Sequence, residues 1–400
     1  MATFRTFAFH CLATVAAWSA TARAEVPAQP PVRPLFALAY WEAMPGPMPL
    51  PVFDAMAIEF RGSLIVAGGF TKSLEATKAI QIRHPLHGWL PVGSTLDEPR
   101  ARGTLTPLGG SRALVLGGFS GTWGHDAQPL SSGETIDLMV AGSSRPIEAW
   151  PGSLDGHSAT PLPDGRVAVV CECALRVFDP ATSSWSDPLE LVSERRRHAA
   201  VLVGMTLVLI GGDQAGTIES IDLRAASPAS ELWNSPRLPA LDAVAAIALG
   251  GHTAFAVGGI DRERAATVNS TWIIDVQKRS ASPGPSLGLQ HGAHEVTLAL
   301  HARGVLVLDG EWRADGTRGN ANAALLIDPR RTGKVWTLPS LHGPLNLSRR
   351  VLVSKLDGSM EAIGGYRYRS PIDAPPDETV GVIVDGSGQR LVVDAAGTAD

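Results

Sequence analysis

One pattern recurs along the whole chain and leaves little room for anything but β-structure: a glycine turn, a short apolar run, then a pair of glycines. It reads Leu64-Ile65-Val66-Ala67-Gly68-Gly69, Leu114-Val115-Leu116-Gly117-Gly118, Leu207-Val208-Leu209-Ile210-Gly211-Gly212 and Ala254-Phe255-Ala256-Val257-Gly258-Gly259. Weaker copies occupy residues 305–310 and 361–365, and residues 167–172 form a degenerate copy without the glycines. Each run is short, often β-branched and closed by glycine, which suits a buried strand and not a helix. A turn glycine precedes each: Gly62, Gly110, Gly165, Gly204, Gly251, Gly304 and Gly358. A second apolar run lies before most of these turns, so each unit predicts a β-hairpin. From Gly62 to Gly358 the spacing averages about 49 residues.

The rest of the unit is also legible. After the glycine pair, a polar loop leads to a strand ending in Asp, as in Glu134-Thr135-Ile136-Asp137, Glu219-Ser220-Ile221-Asp222 and Trp272-Ile273-Ile274-Asp275. A tryptophan then marks a fourth strand at Trp89, Trp150, Trp185, Trp233 and Trp336. This order of Gly-Gly, Glu-x-x-Asp and Trp, at about 50 residues per unit, resembles the kelch repeat. The resemblance covers residues 35–395 and implies an all-β, seven-bladed β-propeller of four-stranded blades, with six blades as the alternative count. Unit three lacks its glycine pair, and unit five has Ala281-Ser282-Pro283 where a tryptophan is expected.

Closure is expected as well. Tyr40-Trp41-Glu42 reads as a fourth strand without a unit of its own upstream. Residues 381–385 read as a third strand, and residues 389–393 are the alternative to the N-terminal segment for the strand that follows it. The N-terminal strand is therefore expected to complete the last blade, which removes an open sheet edge.

The first 24 residues fall outside the repeat. Arg5 begins a short polar start, an apolar stretch runs over residues 7–18, and Ala22-Arg23-Ala24 forms an A-x-A cleavage site. This is the pattern of a secretory signal peptide. The expected organisation is a leader at 1–24, a linker at 25–34, the propeller at 35–395 and a tail at 396–400, in a secreted or periplasmic protein. No later segment reaches eighteen consecutive apolar residues, so no stable membrane insertion is expected. The net charge of −5 offers no basic surplus for a nucleic acid.

Chemistry, in such an architecture, belongs where loops from several units converge. The segments entering the first strands carry Arg100, Arg102, Asp155, His157, Arg195, Arg196, Arg197, His198, His291, His294, Glu295, Arg349 and Arg350; loops after the glycine pair carry Trp123, Trp312 and Tyr366. Candidate ligand contacts are Arg102, His157, Arg197, His198, His294, Glu295, Trp312, Arg350 and Tyr366. Arginine forks suit carboxylates, and aromatic faces suit sugar rings. Against this stands a structural use of Arg and His in bonding neighbouring loops.

His291 and His294 with Glu295 do not have metalloprotease order, and i, i+3 positions on a strand face opposite ways. No metal or cofactor is expected. Copper-radical propellers of the galactose oxidase type use tyrosines that this chain does not match. Propellers of the N-acetylneuraminate epimerase type are similar in leader, size and Arg/His-rich entries. Two functions follow: a binding module for a protein, peptide or glycan at the loop face, or a carbohydrate-active enzyme such as an acidic-sugar epimerase or mutarotase. After the leader only Cys171 and Cys173 remain, at positions expected to share a strand face.

Overall fold

The computed structural model describes residues 39–90, 95–140, 143–234, 238–330, 333–339, 349–355, 359–368 and 382–393. The expected leader, linker, C-terminal tail and the turn at Gly358 lie outside the described residues. Those described hold strands and turns and no helix.

The hairpins form as the repeat predicts. Met56–Phe60 pairs with Ser63–Ala67 across Gly62, which sits at φ 81°, a conformation that glycine adopts without strain. With Ile80–His84 and Gly88–Trp89 they make a four-stranded antiparallel sheet in chain order. The same order recurs in sheets beginning with Thr104–Pro107, Ala199–Val203, Ala245–Gly250 and Thr297–His301. In sheet three, Ser158–Pro161 pairs with a 13-residue strand, Val167–Asp179, which also pairs with Ser184–Trp185 and Leu189–Arg195. Sheet seven runs Val351–Ser354, Met360–Ile363, Gly388–Val393 and then Ala39–Ala43, so the N-terminal strand supplies its outer edge.

The second strand of each sheet explains why its sequence is a continuous apolar run. Both of its faces are covered, and alternate residues serve different neighbours. Ile65 and Ala67 pack with Ala113 and Val115 of sheet two, whereas Leu64 and Val66 pack with Val351, Val353 and Ile363 of sheet seven. Sheets two and three share Leu114, Leu116, Val167 and Val169; sheets three and four share Ala168, Val170, Leu207 and Leu209. The same division continues with Val208 and Ala254, Phe255 and Val305, and Leu306 and Met360. Tryptophans fill the outer parts of these seams: Trp150 and Trp185 meet edge to face at 5.5 Å, and the Trp233 indole N–H donates to Ser220 Oγ at 2.9 Å.

The glycine pair is required by the same close packing. A Cβ on Gly68 (φ 66°) would lie 2.1 Å from the Arg100 carbonyl of the next entry segment, and one on Gly258 (φ 62°) would lie 2.2 Å from the Ala293 carbonyl. Two acidic residues are left-handed in the corresponding pairs elsewhere: Asp309 at the first position, φ 63°, and Glu172 at the second, φ 53°.

Two expectations are corrected. Residues 381–385 are not the third strand of the last sheet: Val382–Val384 pairs with Tyr366–Tyr368 in a separate ribbon, and Gly388–Val393 takes the central position. Cys171 and Cys173 do not share a face, because the left-handed Glu172 between them breaks the alternation. Cys171 is buried, Cys173 is exposed, and both are free thiols. Unit five forms its fourth strand, Ser280–Pro283, without a tryptophan.

Candidate functional site

Each first strand is entered through the same kink. Two residues before it stand Asp54, Arg102, Gly156, Arg197, Ala243, Glu295 and Arg349, all left-handed with φ between 52° and 68°. Six of them are not glycine, and such a conformation costs a non-glycine residue about 1–2 kcal/mol. Ala243 adopts it with no functional side chain, so the kink belongs to the repeat and not to any ligand. Backbone hydrogen bonds link consecutive kinks across different sheets. Asp54 N–H donates to Arg349 O, Arg102 N–H to Asp54 O, Arg197 N–H to Gly156 O, Ala243 N–H to Arg197 O, and Glu295 N–H to Ala243 O, at 2.8 to 3.3 Å.

This relay brings together side chains far apart in sequence. Glu295 Oε1 accepts from Arg102 at 2.9 Å and from Arg197 at 2.8 Å, while its Oε2 lies 3.0 Å from Arg349. Arg349 also forks onto Glu311, at 3.1 and 3.0 Å, and reaches Asp54 Oδ1 at 3.1 Å. The Tyr366 hydroxyl donates to Glu311 Oε1 at 2.9 Å. Three guanidiniums thus face three carboxylates. Burial alone would raise the Glu295 pKa, but Arg349, Arg102 and Arg197 outweigh it and hold it at about 2. Burial likewise opposes the charge of Arg349, and Asp54, Glu295 and Glu311 overcome it, raising its pKa.

The Arg102–Glu295 pair walls two cavities. The larger, about 500 Å³, is bounded by His157, Arg197, His198, Asp155 and Ala243. The smaller, about 260 Å³, is bounded by Asp54, Glu311, Arg349 and Arg350.

The imidazoles are built in as neutral groups. His157 Nδ1 bonds the Leu154 carbonyl at 2.7 Å, so Nε2 is left to accept from the Thr104 hydroxyl at 3.0 Å. Burial lowers its pKa to about 4 and that of His198, bonded to Ser158 Oγ at 2.8 Å, to about 3. His294 is buried, pairs its backbone with Glu311 and has its pKa lowered to about 4 by burial. It lines neither cavity. Arg350 does line the smaller one, its Nε buried without a hydrogen-bond partner. Its backbone N–H points to Asp309, whose carboxyl is pushed up to about 6 by burial, partly offset by Arg350.

Of the nine candidates, then, Arg102, His157, Arg197, His198 and Glu295 share one cavity and Arg350 lies in the next. Trp312 does not join them: it stands in the long ribbon of Gly304–Ala314 and Thr317–Ile327, its ring stacked on His291 at 4.3 Å. Tyr366 is buried in an aromatic cluster with Phe53 and Trp123, at 4.8 and 5.5 Å, and only its hydroxyl reaches the ring of charges. Arg100 and Arg195 are structural. Both are fully buried and repeat one set of bonds: to the carbonyl of the first paired glycine (Gly117, Gly211) and to the strand-three glutamate (Glu134, Glu219). Asp54, Arg349 and Glu311 were not among the candidates. Alignment of the repeats by their kinks would have found the first two. Among the described residues no group of three or more His, Cys, Asp or Glu could hold a metal ion.

No family model and no curated protein matches the chain. Among solved structures, that of YjhT, a kelch-type propeller, aligns with a TM-score of 0.53 at 14% identity, covering 72% of this chain and 98% of that one. The all-β sheet arrangement and this likeness make the fold propeller-like.

Proposed function

We propose that the seven sheets are the blades of one closed kelch-type propeller, and that the protein is a binding module taking a peptide, protein or glycan at its loop face. Two features support closure: the seams that return from sheet seven to sheet one, and the kink relay that joins Arg349 to Asp54. One observation carries the binding reading. The groups an acid–base site would need do not converge: Arg197 and Arg350 line different cavities, His294 lines neither, and Glu295 is held ionised by three arginines. A self-neutralised floor presents paired donors and acceptors to a polar partner without a poised proton donor or base. The leader expected at residues 1–24 supports a place outside the cytoplasm, in the periplasm or beyond the cell.

Binding of the labelled protein to peptide and glycan arrays, beside Arg197→Ala, tests the reading. Ligands retained by the native protein and lost by the variant support it. Turnover of an acidic sugar would overturn it in favour of the enzyme. The observation favouring that second reading is Asp309, titrating at about 6 beside an arginine whose Nε has no hydrogen-bond partner.

A further inference from the structure

A third cavity lies far from the ring of charges, at the seam between sheets one and seven. The strand Met56–Phe60 leads from Asp54 at one end to Gly62 at the other. At about 3.3 Å per residue, five residues separate the two regions by roughly 17 Å. The cavity measures about 430 Å³, and its walls include Met44, Pro45, Pro85, Arg83 and Glu361. Arg83 from sheet one and Glu361 from sheet seven form an ion pair at 3.5 Å, with side chains 8% and 6% exposed. Its neighbours are already engaged: the Lys355 amine donates to the Gly62 carbonyl, the Gly62 N–H to Glu59, and Arg390 Nε to Ser359 Oγ.

Two buried atoms of the pair are left over. Arg83 Nε is a donor without an acceptor, and Glu361 Oε2 is an acceptor without a hydrogen-bond donor, the Lys355 amine standing 4.0 Å from it as an ion-pair partner beyond hydrogen-bond reach. Leaving such groups unsatisfied is destabilising, and more so when they are charged. A carboxylate would satisfy the arginine and be repelled by the glutamate, and an ammonium group would do the reverse. A hydroxyl accepts from one and donates to the other. The volume is far beyond a water's share of about 30 Å³ and falls in the range of about 300–1,000 Å³ typical of small-ligand sites. The Met44, Pro45 and Pro85 walls offer apolar surface to the C–H face of a ring.

We propose that this seam is a second binding site, for a monosaccharide-sized polyol whose hydroxyls bridge Arg83 and Glu361. Because the site spans the first and last sheets, occupancy also ties the two ends of the repeat together.

The test is isothermal titration of the full chain with a panel of hexoses, pentoses and hexuronates, with succinate as a carboxylate lacking hydroxyls. Arg83→Met/Glu361→Leu replaces the buried pair by apolar side chains, an exchange that is often neutral or stabilising. Ala43→Phe, at an exposed position on the cavity wall, fills the space without touching the pair. The expected result is binding of at least one sugar, no binding of succinate, and a Kd weakened at least about tenfold in both variants. Absence of sugar binding, equal binding of succinate, or a crystal structure of the sugar-soaked protein with only a bridging water at the pair would overturn the proposal. So would sugar affinity unchanged in both variants; if that affinity then falls in Arg197→Ala, the sugar belongs to the loop face and the binding-module reading stands without the seam site.

Discussion

Replacing Glu295 by glutamine removes the one carboxylate that touches Arg102, Arg197 and Arg349 while preserving its shape. The magnitude follows from its proton affinity. In the folded chain its pKa lies at about 2 against an ordinary 4.5, and each decade is worth about 1.4 kcal/mol. The ionised form is therefore favoured by about 3 kcal/mol. Arg102 and Arg197 are 31% and 38% exposed, so solvent screening trims this to about 2 kcal/mol. The sign is that of a depressed carboxyl pKa: the stabilisation is complete above pH 4.5 and disappears as pH falls towards 2. Differential scanning calorimetry of the native protein and Glu295→Gln should show the variant melting lower at pH 7. The gap should narrow steadily below pH 4.5. Equal melting temperatures at pH 7, or a gap undiminished at pH 2.5, would refute the account of the ring as a mutually neutralising lattice.

Three further outcomes are expected. Asp309→Asn removes a carboxyl that burial holds at about 6 against an ordinary 3.8, while keeping a side chain that tolerates φ 63°. A raised carboxyl pKa favours the folded state below 3.8 and loses that advantage as pH rises through 6, so the variant should melt higher than the native protein at pH 8 and no higher at pH 4. His157→Gln should flatten the fall in melting temperature between pH 6.5 and 4, because the unfolded chain takes up the imidazole proton at about 6.5 and the folded one only near 4; an unaltered slope would contradict the neutral, bonded imidazole. Gly68→Ala should destabilise by at least about 2 kcal/mol in urea melts, since it adds left-handed strain to a Cβ placed 2.1 Å from the Arg100 carbonyl.

What was legible in the sequence was whatever repeats locally. Alternating apolar residues beside Gly62 or Gly204 specify a hairpin, and the two-sided run Leu64-Ile65-Val66-Ala67 signals a strand covered on both faces. The leader is an expectation from pattern alone, at residues outside those described, and the partner is a proposal that the binding experiments address. Trp312 shows how little a local pattern says about placement: an aromatic in a loop after the glycine pair reads like a ligand platform. In fact the strand there extends to Ala314, and the ring stacks on His291.

By itself, the sequence determined the hairpins and the places where glycine is required, because turn geometry and strand alternation depend on residues within a few places of one another; the third strand of the last sheet it did not determine. Only the tertiary structure decided which arginine does what. Arg100 and Arg102 stand two residues apart, yet the first is buried against its own sheet and the second reaches Glu295, 193 residues away. The left-handed kink at Arg102 redirects the chain, and the partner it meets is set by which sheets come to lie side by side, information that no local pattern holds.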